Sequence, residues 1–172
     1  PGLKVVAPST PYNAKGLLAA AIRDDDPVIY LEHLVLLDTS GPVPEEDYVI
    51  PLGKAEIARQ GKDVTVVAIG RMRLFAMQAA EELAKDGIEV EVVDPQTLSP
   101  LDESTILESV KKTHRLVVVD EDNPHCSVAN DIVSLAAQQA LAYLDAAPRT
   151  VTAPHTPVPF SPPLEDAYIP SP

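Results

Sequence analysis

The chain has 172 residues, a formal net charge of −13 and 45% hydrophobic residues, enough length for one full domain with part of another. Its acidity works against binding nucleic-acid phosphates and in favour of a basic protein surface. The lone Cys126 rules out an internal disulfide framework and suits a reducing, cytoplasmic compartment, and no apolar run approaches the roughly 18 to 20 residues of a membrane helix.

Pro1 stands where a gene product would begin with Met, so the chain reads as processed or as a fragment. Leu3 to Ala7 is a short strand. Thr10 and Pro11 then open a helix, Thr10 as cap and Pro11 in the first turn, where its missing N–H is not needed. The helix continues through NAKGLLAAAIR and stops at Asp24-Asp25-Asp26-Pro27, after which VIYLEH reads as a buried strand. From residue 34 to 53 periodicity is lost and turn formers gather in DTSGPVPEEDYVIPLG, marking a domain boundary. KAEIARQGKD alternates charges with Ala and Ile and reads as an edge strand and turn.

Val64 to Pro100 forms a complete strand, helix and strand crossover. VTVVAIG and VEVVDP are continuous apolar runs of the kind that parallel strands covered on both faces require. Between them RMRLFAMQAAEELAKDG has helical spacing and ends at Gly87, which can take a left-handed cap conformation. Thr97 to Pro100 turns the chain, Asp102 begins the helix ESTILESVKKT with its Lys pair at the favourable carboxyl end, and LVVVD is the next strand. EDNPHCS is a loop, VANDIVSLAAQQALAYL an amphipathic helix and RTVTA a last short strand. From Pro154 the chain is proline-rich, with a short helix possible at PLEDAY. This alternation predicts an α/β fold with a mainly parallel open sheet and helices on both faces.

Ligands bind open parallel sheets at the carboxyl ends of the strands, here Gly70-Arg71, Asp94 and Asp120-Glu121-Asp122. Gly70 with Asp94 falls short of a dinucleotide site, since one glycine followed by Arg, Met and Arg cannot make the phosphate turn. The cluster at 120–122 is either a solvated strand end or a Mg²⁺ site of the kind a phosphoacceptor domain uses. His125-Cys126 precedes a helix but lacks a third orienting group, His33 and His155 are isolated, and His114 stands next to a helix end, where a cationic side chain is useful. Three carboxylates at Asp24 to Asp26 sit on the wrong side of a helix dipole. They make either an exposed connection or a cation site of carboxylate and carbonyl oxygens.

The segments PGLKVVAPSTPYNAKGLLAAAIRDDDPVIYLEH, IPLGKAEI, EVVDPQTLSPLDESTILESVKKTHRLVVVDE and VTAPHTPVPFSPPLEDAYIPSP together resemble the beta subunit of thiamine-diphosphate-dependent 2-oxoacid dehydrogenases. DEDNPHCSVANDI and APHTPVPFS resemble the acetoin branch more than the pyruvate or branched-chain branches. The resemblance implies that residues 1–36 are the end of a pyrimidine-binding domain, 37–51 a linker, and 52–172 a transketolase-type carboxyl-terminal domain. It also implies that the residues acting on thiamine diphosphate lie upstream, that its diphosphate and Mg²⁺ are held mainly by an alpha subunit, and that no catalytic residue falls in this chain. One site carries over: a monovalent cation, K⁺, at Ala21, Ile22, Asp24 and Asp26. The implied partners are the alpha subunit, a second beta subunit and the subunit-binding domain of the acyltransferase (lipoyl) core, with Asp145 near that last surface. The rival reading is a stand-alone acidic flavodoxin-like binding or signalling domain using Asp94 or Asp120.

Overall fold

The structure, a computed structural model, describes residues 2–172. In chain order the strands are β1 (Lys4–Val6), β2 (Val28–Tyr30), β3 (Glu56–Arg59), β4 (Val64–Ala68), β5 (Val90–Asp94), β6 (Thr97–Ser99), β7 (Leu116–Val119) and β8 (Arg149–Val151). The helices are α1 (Pro11–Ile22), α2 (Met72–Lys85), α3 (Glu103–Thr113), α4 (Val128–Gln139) and α5 (Pro162–Tyr168). Two sheets result, a five-stranded one ordered β3-β5-β4-β7-β8 and a three-stranded one ordered β2-β1-β6.

The larger sheet is the α/β unit that the crossover predicts. β4 pairs in parallel with β5 and β7, β7 with β8, and only the edge strand β3 runs antiparallel, against β5. Side chains alternate between the two faces, as strand geometry demands. Ala68, Val90 and Val92 pack on Met72, Ala76 and Ala80 of α2. Val67, Val93 and Val118 face Ile106 and Val110 of α3 and Ile132 of α4. The helix ends follow their local chemistry. Thr10 accepts the Asn13 N–H at 3.1 Å, Ser127 caps α4, and Gly87 leaves α2 at φ +81°. Burial alone would raise the Asp102 carboxyl, but hydrogen bonds from Ser104, Thr105 and the Ala55 N–H outweigh it and hold the group at about 2. That one carboxylate therefore caps α3 and anchors the entry to β3.

Three expectations need correction. Thr97–Ser99 is a strand rather than a turn, paired antiparallel with β1. The edge of β1 away from β2 carries buried Val6, and its backbone groups need partners that water cannot supply. VIYLEH is regular only over Val28–Tyr30 and is half-exposed, because β2 pairs on one side only, with Ile29 43% exposed. The helix from Val128 ends at Gln139, and Leu141–Tyr143 tightens into a 3₁₀ turn. There the Tyr143 carbonyl accepts a hydrogen bond from His114 Nδ1 at 2.7 Å and the Asp145 N–H donates to the His114 carbonyl at 2.9 Å, so the end of α3 draws the chain off the helix axis. The stretch from 39 to 55 has no regular structure, and Leu34–Asp38 before it is a 3₁₀ turn.

Close approach also shapes the edge of the larger sheet. Gly61 lies against β5, where its N–H donates to Glu91 Oε2 at 3.3 Å and an added Cβ would meet the backbone of Val90 and Glu91. Gly61→Ala should therefore lower unfolding free energy by about 1–3 kcal/mol, the usual cost of overpacking, as read from the urea midpoint at constant m-value.

Candidate functional site

Asp94 ends the buried strand β5 and is wholly inaccessible, at 0% exposure. Its Oδ2 accepts hydrogen bonds from Ser9 Oγ and, at 3.2 Å, from Arg73 Nη1 of α2. Arg73 also donates to Glu56 from both terminal nitrogens at 3.1 Å, to Asn13 Oδ1 at 3.0 Å and to Ser9 Oγ at 3.1 Å. Gln96 Nε2 donates to Glu56 Oε2 at 2.9 Å, and the Gln96 N–H donates to Asp94 Oδ1 at 3.0 Å. Burial pushes the Asp94 carboxyl up to about 6, against the opposing pull of Ser9, Arg73 and the Gln96 N–H. This cluster joins the smaller sheet to the larger. It also closes the rival reading at Asp94, since a phosphoacceptor must reach solvent.

The carboxyl ends of β4 and β7 border a crevice of about 290 Å³, floored by Ala7, Ile69 and Leu98 and rimmed by Glu32, Asp120 and Glu121. Glu121 is tied down at both oxygens. His33 Nε2 donates to Oε1 at 2.6 Å, while His33 Nδ1 accepts the Val35 N–H at 3.2 Å and so fixes the tautomer; Arg71 Nη1 lies 3.9 Å from Oε2. His33, isolated in the sequence, thus has a partner from the loop after β7. Asp120 is buried, and burial raises its carboxyl even though the Asp122 N–H donates to it at 3.3 Å. An anion meets repulsion at this rim. At the start of α2 the N–H groups of Met72, Arg73 and Leu74 already donate to the carbonyls of Ile69, Gly70 and Arg71 at 3.1, 3.2 and 3.0 Å. The failed phosphate motif is thus matched by a helix start whose first three N–H groups are already engaged.

At the end of α1 the acidic turn holds a cation from its own chain. Lys4 Nζ lies 2.7 Å from Asp24 Oδ1, 2.8 Å from Asp24 Oδ2 and 3.0 Å from Asp26 Oδ2. Those contacts hold the Asp24 carboxyl below its usual range, the Lys4 hydrogen bond being the largest cause. The Ala21 carbonyl accepts the Asp24 N–H at 3.4 Å, and Ile22 is exposed. Asp145 is also exposed and pairs with Arg115 at 3.2 Å. The His125 ring meets His155 edge-on at 4.5 Å, beside exposed Cys126. Among the described residues no group of three or more His, Cys, Asp and Glu side chains could hold a metal ion, and no helix is long and apolar enough to cross a membrane.

Comparison with known proteins places this geometry in a family. The family described as transketolase, C-terminal domain, matches residues 53–172. The beta subunit of acetoin:2,6-dichlorophenolindophenol oxidoreductase from Bacillus subtilis is 55% identical over 172 residues, covering 100% of this chain and 50% of that protein. Its counterpart from Cupriavidus necator is 60% identical over 171 residues, covering 99% and 51%. The pyruvate dehydrogenase E1 component subunit beta of Bacillus subtilis is 48% identical over 172 residues, covering 99% and 53%. The chain thus spans about half the length of the curated relatives it matches. A solved split-gene transketolase, an inactive beta4 tetramer, superposes with a TM-score of 0.81 at 24% identity over 98% of this chain and 54% of that one, which shows the shared fold.

The polar cluster sets two expected outcomes. Arg73→Ala leaves Asp94 buried and unpaired and should cost about 3–5 kcal/mol in denaturant unfolding. Asp94, whose folded value of about 6 lies above the ordinary 3.8, contributes stability that is fully present below pH 4 and is lost as pH rises through 6. Asp94→Asn should flatten that slope, a change on the order of 2–3 kcal/mol between those limits. Urea titrations at stepped pH measure it, and an unchanged slope in the variant would remove Asp94 as its source.

Proposed function

The chain belongs to the transketolase C-terminal-domain family, and from that premise we propose that it is the carboxyl-terminal half of the beta subunit of a thiamine-diphosphate-dependent dehydrogenase acting on acetoin. The observation that carries this reading is the end-to-end match to acetoin oxidoreductase beta subunits at 55% and 60% identity, above the 48% to a pyruvate dehydrogenase subunit. The assembled enzyme would cleave acetoin and pass the acyl group to a lipoyl arm of an acyltransferase core. Residues 1–36 would close a pyrimidine-binding domain, 37–51 link, and 52–172 assemble. The alpha subunit and a second beta subunit complete the enzyme, and the bacterial relatives favour a cytoplasmic location.

Thiamine diphosphate and Mg²⁺ belong to the assembled enzyme in this reading. The strand-end crevice, lined by the carboxylates of Glu32, Asp120, Glu121 and Asp122 against the one guanidinium of Arg71, does not fit a diphosphate, so no step of the chemistry is assigned to residues of this segment. Its share is positional: a rigid five-stranded sheet carrying partner surfaces and, through the Arg73 cluster, the β1–α1 unit. We place a K⁺ site at Ala21, Ile22, Asp24 and Asp26. The Lys4 ammonium lies between Asp24 and Asp26, so K⁺ at this helix end would share their carboxylates with it or displace it. Asp145 is the proposed contact for the basic subunit-binding domain of the acyltransferase, where it would exchange Arg115 for a partner cation.

The full-length beta subunit containing this segment, mixed with its alpha subunit, thiamine diphosphate and Mg²⁺, should reduce 2,6-dichlorophenolindophenol when acetoin is added. Reduction with pyruvate alone would move the protein to the pyruvate branch, and no reduction with either, together with no cofactor retention, would end the catalytic reading. Asp145→Lys in the same subunit should weaken capture by the acyltransferase binding domain by about tenfold or more while dye reduction stays intact.

A further inference from the structure

The proline-rich segment after β8 leaves three large apolar side chains uncovered: Val158 at 74% exposure, Phe160 at 100% and Leu164 at 60%. Single exposed apolar residues are ordinary, but three between positions 158 and 164 are not scattered. The chain has only two phenylalanines, and the other, Phe75, packs against the core. The segment is held at both ends. Ala153 is buried and its N–H donates to the Asp122 carbonyl at 3.1 Å. Beyond it the N–H groups of Leu164 and Glu165 donate to the Ser161 carbonyl at 2.9 Å, and Ile169 packs against the core cluster under α2. Pro154, Pro157, Pro159, Pro162 and Pro163 fix φ between these anchors. An aromatic side chain on a pre-set extended segment loses little entropy on docking, which is the condition for a strong interface anchor.

Charge decides what covers it. No Lys or Arg follows Arg149, while Glu165 and Asp166 lie within the segment. Asp122 and Glu165 line the adjoining cavity of about 600 Å³, which Val158 also borders. A second copy would bring the same acidic border against itself, since a two-fold contact pairs a surface with its own likeness. We infer that Val158, Phe160 and Leu164 anchor this half-subunit to a companion chain of different sequence, one with an apolar pocket bordered by Lys or Arg. This rests on the reading of the protein as one subunit of a hetero-oligomer, and it names the surface by which that subunit holds its alpha partner.

The test uses the full-length beta subunit, parent and Phe160→Ala, titrated against the alpha subunit by sedimentation velocity, with Val158→Ala as a second variant. Phe160 is wholly exposed in this half; an isolated variant that melts with the parent leaves the side chain free for a partner, and one that melts lower assigns it to the rest of its own subunit and overturns the inference. The Phe160→Ala Kd for the alpha subunit should rise roughly 30-fold or more, the effect of truncating a central aromatic anchor, and the Val158→Ala loss should be smaller. An unchanged Kd overturns the inference, as does a loss that appears in beta self-association instead. Failure of the parent chains to form any complex overturns the beta-subunit reading itself, an outcome distinct from a complex that forms and ignores Phe160.

Discussion

Arg73 carries one positive charge into a region where the carboxylate of Asp94 has been taken out of water and that of Glu56 partly so, and the joint between the two sheets turns on that pairing. The chain itself crosses the joint here. β5 ends at Asp94 in the larger sheet, and β6 begins at Thr97 in the smaller one, so Pro95 and Gln96 make the whole passage. Gln96 does so at φ +56°, a conformation that costs a non-glycine residue on the order of 1–2 kcal/mol. Its N–H is held by Asp94, its side chain by Glu56, and its carbonyl accepts the Ala7 N–H at 2.9 Å. Removing the guanidinium would leave those carboxylates without a counter-charge, at the point where β1 and α1 are fastened.

β5 repeats the device on its other face. Glu91 is 2% exposed and points to α3, where Ser109 Oγ donates to it at 2.7 Å and Lys112 Nζ pairs with it. Thr65 Oγ1 continues the network to Ser109 at 2.7 Å and to Thr113 at 2.6 Å. A strand reading VEVVD therefore presents valines to hydrophobic layers on both faces and one carboxylate to a cation on each flanking helix. An apolar strand would bury more cheaply, since charges are costly to desolvate even when paired. The ion pairs fix where each helix sits along the strand, because the carboxylates tolerate no unpaired alternative.

The acidity of the chain is deployed in layers. At the end of α1 it holds Lys4, at the strand-end crevice it holds His33 and Arg71, and beside the proline-rich segment Glu165 and Asp166 are left without a neighbouring Lys or Arg in the sequence. The first two are satisfied internally. The third stands beside uncovered Val158 and Phe160, the combination of apolar centre and charged border that protein interfaces use.

The crossover from Val64 to Asp94 was legible because its signals are local: unbroken valine runs, a 3.6-residue period between them, and a glycine where the helix must end. Caps were legible at Thr10 and Asp102 for the same reason. The strand at Thr97–Ser99 was not, since three residues with a following proline spell a turn, and only the open edge of β1 makes them a strand. The polar cluster was also hidden. Arg73 lies in a stretch that reads as a failed phosphate loop, and Ser9, Asn13, Glu56, Asp94 and Gln96 are scattered along the chain. One signal was present, a carboxylate closing each end of the otherwise aliphatic VEVVD after its first valine, which demands cations from whatever packs on it. What the sequence determined is the set of elements and the faces they bury, because side-chain period and capping are properties of neighbours in the chain. The tertiary structure decided which charges meet, because an ion pair is selected by desolvation at one place in space, and that place exists only once both sheets have closed on it.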